Sequence, residues 1–175
     1  MGSFEAPAGE VLYRDARCEV RRCAVPVRGG AVVSRALVVH PGSVVLLPVL
    51  DDGRVVLIRN RRWQVGEALL ELPAGTLGWG EDPAAGAMRE LVEETGFRAT
   101  TLTPMPPFYA LPGLATEVMH PFVARGLVEV GQALEVDEQI EVVPTALAEA
   151  RAMLVDGRLA DAKSMAVLGR YLLAG

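Results

Sequence analysis

Short apolar alternations open the chain. Residues 10–40 read as two or three strands separated by polar turns, one of them at Gly29-Gly30. Ser43–Leu50 is then almost continuously apolar, Asp51-Asp52-Gly53 makes a turn, and Arg54–Asn60 is a second apolar run. Two such runs across an aspartate-glycine turn predict a β-hairpin in a buried sheet. Leu69–Pro73 predicts a short strand that stops at its proline. At Pro83 the period changes. Ala84, Ala87, Met88, Leu91 and Val92 fall at helical spacing as far as Glu94. Asp82 suits the N-cap, Pro83 the first helical position, and Gly96 a left-handed stop. Further on, Arg98–Leu102, Val118–Ala124 and Gln139–Val143 read as strands, the last interrupted by Pro144. Thr145–Val155 and Ala160–Ala174 read as helices that Thr145 and Asp161 can cap. The sum is an α+β sandwich, a mixed sheet covered by one central helix and two C-terminal ones.

A length of 175 residues suits one buried domain. Residues 1–40 are expected to form an N-terminal antiparallel β region belonging to the domain that fills 41–175. The apolar run Val44–Leu50, broken by Pro48, is far below the roughly 18 to 20 residues that span a bilayer. Glu5 and Glu10 stand where a secretory signal would be basic, so a cytoplasmic protein without a membrane partner is expected. The net charge of −5 argues against general nucleic-acid binding, which needs a basic surface. It leaves room for a nucleotide substrate whose charge a bound metal offsets. Cys18 and Cys23 form no Cys-x-x-Cys pair and read as plain thiols of a strand region. Of the 17 basic residues only Lys163 is lysine, a bias that points to a GC-rich bacterial source.

The candidate chemistry lies on the central helix. Glu90, Glu93 and Glu94 are spaced i, i+3 and i+4, which puts three carboxylates on one face about 5–6 Å apart. Like charges at this spacing repel, and the helix C-terminus disfavours them again. A hard divalent cation reverses both penalties. An isolated cluster of this kind is usually a solvated face. Here Gly75, Glu81, Arg89, Glu90, Glu93, Glu94 and Gly96 also fit G-x5-E-x7-R-E-U-x-E-E-x-G-U, with Leu91 and Phe97 at the apolar positions. Seven fixed identities give about one chance match in a billion per start position.

Residues 75–97 thus resemble a complete Nudix box. The resemblance runs from about Val33 to Tyr171 and, within the superfamily, is to ADP-ribose pyrophosphatases. His40–Trp63 resembles the family's sheet-forming lead-in, and Glu71-Leu72-Pro73-Ala74-Gly75 its entry to the box. Pro112 lies 15 residues beyond Phe97, where ADP-ribose-cleaving members carry a proline, and Pro112-Gly113-Leu114 resembles their Pro-Gly-Phe. Val136–Val143, Gly157 and Asp161-Ala162-Lys163 resemble the C-terminal segment.

The resemblance implies a Nudix-type α/β/α sandwich and Mg²⁺-dependent hydrolysis, with Mn²⁺ as a substitute. It assigns the metal to Glu90, Glu93, Glu94 and the carbonyl of Ala74, with Arg89 orienting a glutamate. Gly75 and Gly96 would shape the turns at the box ends, and Glu81 would be peripheral or near a second metal. Glu138 is the best match to a general base, with Glu135 and Asp137 as competitors. Arg62 would hold substrate phosphates, Trp63 could stack on a base or ribose, and Pro112 would shape a loop near the terminal ribose. His40 and His120 have no step that requires them. Relatives are often homodimers that exchange N-terminal strands, which would let Arg35 reach the partner's site. The implied reaction is ADP-ribose to AMP and ribose 5-phosphate. The alternatives are another nucleoside diphosphate derivative, such as GDP-mannose, FAD or NADH, and a non-catalytic ligand sensor on the same fold.

Overall fold

Strand β4 (Ser43–Pro48) is buried along its whole length, and the architecture follows from what covers its two faces. The computed structural model describes residues 6–134, 136 and 138–174. The remaining strands are β1 (Glu10–Arg14), β2 (Glu19–Pro26), β3 (Val32–Val39), β5 (Val55–Arg62), β6 (Glu67–Glu71) and β7 (Ala74–Thr76), followed by β8 (Phe97–Pro104), β9 (Phe108–Tyr109), β10 (Val118–Glu129) and β11 (Ile140–Thr145). The helices are α1 (Pro83–Thr95), α2 (Leu147–Asp156) and α3 (Ala162–Leu173).

Side chains alternate across a strand, so Val44 and Leu46 point one way, against Leu77 and against Ala87 and Leu91 of α1. Val45 and Leu47 point the other way, against Val55 and Leu57 of β5, Met153 of α2 and Leu168 of α3. Each fully buried valine or leucine contributes about 1.5–3 kcal/mol. The result is the expected sandwich: α1 on one side, β5 with α2 and α3 on the other.

The central sheet has the order β7-β4-β10-β8, with β9 paired to β10. It is mixed: β4 and β10 run parallel, Met119 opposite Ser43 through Ala124 opposite Pro48, and the other pairs are antiparallel. A second sheet is ordered β11-β5-β6 and a third, N-terminal, β1-β2-β3.

Two expectations are corrected. The apolar runs on either side of Asp51-Asp52-Gly53 do not form a hairpin ladder; they meet only at the bridge Val49–Val55 and enter different sheets. Both hydrogen-bonding edges of β4 are already taken, by β7 and β10, so β5 pairs with β6 and β11 instead. Thr145 is not a helix cap. β11 continues through Pro144, which an edge strand tolerates. Thr145 Oγ1 then donates to the Val143 carbonyl at 2.9 Å, leaving Ala146 to begin α2 without a side-chain cap.

The N-terminal sheet is tied to the body through β3. Val38 N–H donates to the Leu114 carbonyl and Thr116 N–H to the Val38 carbonyl, each at 2.9 Å. Cys18 is half-buried, Cys23 is buried, and neither is in a disulfide. No helix among the described residues is long and apolar enough to cross a membrane.

Candidate active site

Helix α1 is fixed at both ends by its own sequence. Asp82 accepts a hydrogen bond from Ala85 N–H at 3.0 Å, and Pro83 supplies the first helical φ. Gly96 closes the helix at φ 73°, its N–H donating to the Val92 carbonyl at 2.9 Å. A side chain there would be strained by that φ and would meet Gln132 N at 2.8 Å.

The helix turns Glu90, Glu93 and Glu94 into a cavity of about 330 Å³. Arg62, Ala74, Gly75 and Glu138 also line it, as do Ala16 and Arg17 from the tip between β1 and β2. That tip is held by Asp15, whose Oδ1 accepts N–H bonds from Arg17 and Cys18 at 2.8 Å each. Glu90 and Glu94 are 7% and 2% exposed. Glu94 accepts the Ala74 N–H at 2.7 Å. The Glu90 carboxylate occupies the space a Cβ at position 75 would fill, which explains the glycine there. Arg89 Nη1 donates to Glu90 at 2.7 Å and to Glu93 at 2.8 Å. Its Nε and Nη2 reach Glu81, at 3.3 and 3.2 Å, while Glu81 also accepts the Gly78 N–H at 2.7 Å. Glu81 is thus the anchor that holds Arg89 to the loop before the helix.

Burial pushes the Glu90 carboxyl up to about 7 against the pull of Arg89, and the charges of Glu93 and Glu138 add to the rise. Burial pushes Glu94 up to about 8; the Ala74 N–H opposes this, and Glu90 and Glu138 add to it. Desolvation, which disfavours the charged form, thus outweighs Arg89 at Glu90 and Arg62 at Glu94. The cavity's donors are all oxygens, the set a hard divalent cation prefers. Among the described residues no three carboxylates converge closely enough to hold an ion as they stand; Arg89 lies between Glu90 and Glu93, so coordination requires side-chain rotation within the cavity.

A second hollow of about 430 Å³ shares Arg62, Ala74, Gly75 and Thr76 with the first and continues past Ser43, Glu117, Asp161 and Lys163. Its floor is an ionic knot. Glu71, 1% exposed, accepts from Arg62 Nε and Nη2 at 2.8 and 2.6 Å and from Lys163 at 2.5 Å. Lys163 also pairs with Asp161 at 2.9 Å, and Asp161 caps α3 through Ser164 N–H. Burial acts to raise the Glu71 carboxyl, but Arg62 and Lys163 overcome it and hold it below the usual range.

A family model described as the NUDIX domain matches residues 39–166. The chain belongs to the NUDIX domain family. It is 37% identical over 142 residues to an ADP-ribose pyrophosphatase of Bacillus subtilis (strain 168), covering 80% of this chain and 77% of the relative. It is 33% identical over 169 residues to an ADP-ribose pyrophosphatase of Mycobacterium tuberculosis (strain ATCC 25618 / H37Rv), covering 95% and 81%. A crystal structure of an ADP compounds hydrolase superposes with a TM-score of 0.80 at 24% identity, over 100% of this chain and 98% of that one, which bears on the fold.

Set against the Nudix pattern, the sequence-predicted residues divide. Glu90, Glu93, Glu94, Arg89, Ala74, Gly75, Arg62 and Glu138 surround one cavity. Glu135 and Asp137, the competitors for the base, lie outside the described residues. Trp63 is 80% exposed and lines neither hollow. Arg35 sits on β3 with its Nη1 on the Ser34 carbonyl, away from its own chain's carboxylates. Pro112 is exposed on the loop that leads to Glu117. His40 accepts the Gly42 N–H at 3.1 Å, and burial lowers the pKa of both histidines. Sequence reasoning missed Glu71 and Lys163 as a pair and Arg17 altogether. The single lysine was a usable signal for Lys163; Arg17 carried none.

Proposed function

We propose that this Nudix protein hydrolyses the diphosphate of ADP-ribose to AMP and ribose 5-phosphate with Mg²⁺, which Mn²⁺ can replace. The observation that carries the reading is the junction of two hollows at Arg62: a cavity into which the three glutamates of α1 face, and a cleft with a charged floor beside it. The ADP-ribose pyrophosphatases among its relatives favour the substrate.

Glu90, Glu93, Glu94 and the Ala74 carbonyl are the groups that would hold the cation. When bound, it would neutralise the diphosphate and lower the pKa of water. The chain's own residues do the rest. Arg89 holds Glu90 and Glu93 in orientation, itself anchored by Glu81. Arg62, fixed by two bonds to Glu71, presents its remaining donors to phosphate oxygens. Glu138 accepts a proton from water as the water oxygen bonds to phosphorus. The bridging P–O bond breaks, and the departing phosphate takes its electron pair. Pro112 shapes the loop ahead of Glu117 at the ribose end, and Trp63, exposed beside Arg62, closes on the substrate. The reading includes a cytoplasmic homodimer formed through the N-terminal sheet, whose Val11, Leu12, Tyr13 and Val32 are exposed, with Arg35 reaching the partner's cleft.

The test is a substrate panel of ADP-ribose, GDP-mannose, FAD and NADH with product analysis. AMP and ribose 5-phosphate should form with Mg²⁺ and cease to form in EDTA. A kcat/KM for ADP-ribose well below that for another compound rejects the substrate. No hydrolysis of any of them leaves the ligand-sensor alternative.

A further inference from the structure

A third hollow, of about 720 Å³, is larger than the two that meet at Arg62 and has the size of a small-molecule site. The end of β3, the turn ahead of α1, β9 and the start of β10 enclose it. Arg21, His40, Trp79, Tyr109, Thr116 and His120 border it. In a chain with 22 acidic residues, no aspartate or glutamate among the described residues does so.

The two rings stand on fixed backbone. Trp79 and Gly80 are the centre of a turn: Glu81 N–H donates to the Gly78 carbonyl at 3.0 Å, and Gly80 has φ 80°, the value a type II turn requires at that position. Glu81 Oε2 closes the same turn on the Gly78 N–H at 2.7 Å. Trp79 is 54% exposed there. Tyr109, 43% exposed, is set by its pairing with Val118 across β9 and β10. Exposed aromatic rings held in this way make a stacking surface for a planar ligand. His40 Nδ1 accepts the Gly42 N–H at 3.1 Å, so the neutral ring carries its proton on Nε2 and offers a donor. Burial lowers the pKa of both histidines, which therefore add hydrogen-bonding groups without charge at neutral pH. The charge comes from the N-terminal sheet. Buried Glu19 accepts from both Arg14 and Arg21, and one carboxylate between two guanidinium groups leaves positive charge at this edge. The Pro7 carbonyl takes Arg21 Nη1 at 2.9 Å and steadies a planar fork of the kind that suits phosphate.

We infer that this hollow is a nucleotide-binding site distinct from the box cavity. It takes a nucleoside monophosphate, with the base against Trp79 and Tyr109 and the phosphate at Arg21. Neither ring borders the box cavity or the cleft. The inference does not rest on the hydrolytic reading, since binding there uses neither the box carboxylates nor a cation.

AMP in EDTA is the probe. The chain has two tryptophans, so Trp63→Phe leaves Trp79 as the single indole, and its ring protons are unambiguous by NMR. Saturating AMP should give nuclear Overhauser contacts between adenine protons and that indole. Their absence overturns the proposal, and AMP held only in the box cavity or the cleft would leave the indole without them. The affinity, followed by the Trp79 shifts, should fall at least about tenfold in Tyr109→Ala, the loss of one stacking ring. It should fall at least about tenfold again when adenosine replaces AMP on the unaltered ring pair, the loss of the charged contact to Arg21. Equal affinity in either comparison overturns the stated mode of binding. The Overhauser contacts are read with Tyr109 in place, so a Tyr109→Ala protein that fails to fold leaves the first test decisive. Failure of the wild type to cleave ADP-ribose, by contrast, bears on the proposed function alone, because AMP is titrated with metal removed.

Discussion

Glu71 and Glu94 are both buried glutamates, 1% and 2% exposed, on two sides of one site, and they are treated in opposite ways. Glu71 is enclosed by Arg62 and Lys163 and is held ionised. Glu94 receives one backbone N–H and is crowded by Glu90 and Glu138, and its carboxyl rises to about 8. Burial alone does not say what a carboxylate is for. The first is complete without a ligand. The second is pushed by burial toward its protonated form, and a bound cation would draw it back to the charged one.

The contrast is broken most severely by Glu94→Gln. With Mg²⁺, kcat should fall on the order of a thousandfold, about 4 kcal/mol of transition-state stabilisation. In EDTA near neutral pH the same variant should be at least as stable as the wild type, since burial already favours the neutral carboxyl and glutamine is a neutral isostere. Steady-state rates and urea unfolding measured together check both halves; a variant that is less stable in EDTA would show that the two glutamates are alike. Glu71→Gln should behave in the reverse order. It leaves two cations facing each other without their anion, and urea unfolding should show a loss of about 3 kcal/mol with or without metal.

The same contrast should show in pH. The folded Glu90 and Glu94 values, about 7 and about 8, lie above the ordinary 4.5, so the native state holds protons that the unfolded chain has released. Stability of the metal-free protein should therefore fall as pH rises from about 5 to 8. Glu71 has the opposite sign: its folded value is lowered, so its contribution is present above the ordinary value and is lost in acid. Unfolding midpoints from pH 5 to 8 should slope downward in EDTA and flatten in saturating Mg²⁺. A slope unaffected by Mg²⁺ would separate these carboxylates from cation binding.

What could be read from the chain beforehand was whatever leaves a local mark. Asp82, Pro83, the apolar stripe and Gly96 bounded α1 to within a residue, because caps and period are properties of neighbours in sequence. The partner of β4 left no such mark. The aspartate-glycine turn suggested β5, but a parallel neighbour such as β10 arrives from some seventy residues away and writes nothing into the intervening turn. Thr145 misled in the same manner: a good capping residue stayed in a strand because β11 had an edge position that could accept Pro144. In the site, the box glutamates were legible from spacing. The knot of Glu71, Arg62, Asp161 and Lys163 was not, since its members come from β6, β5 and the start of α3.

The wall supplied by Ala16 and Arg17 sets a lower limit on the working unit. The family model begins at residue 39, but a fragment cut there would retain both apolar cores yet lack one side of the chamber in which the box carboxylates stand. The boundary of the family model and the boundary by enclosed volume differ by more than twenty residues. Truncation experiments on this chain should be planned around the second.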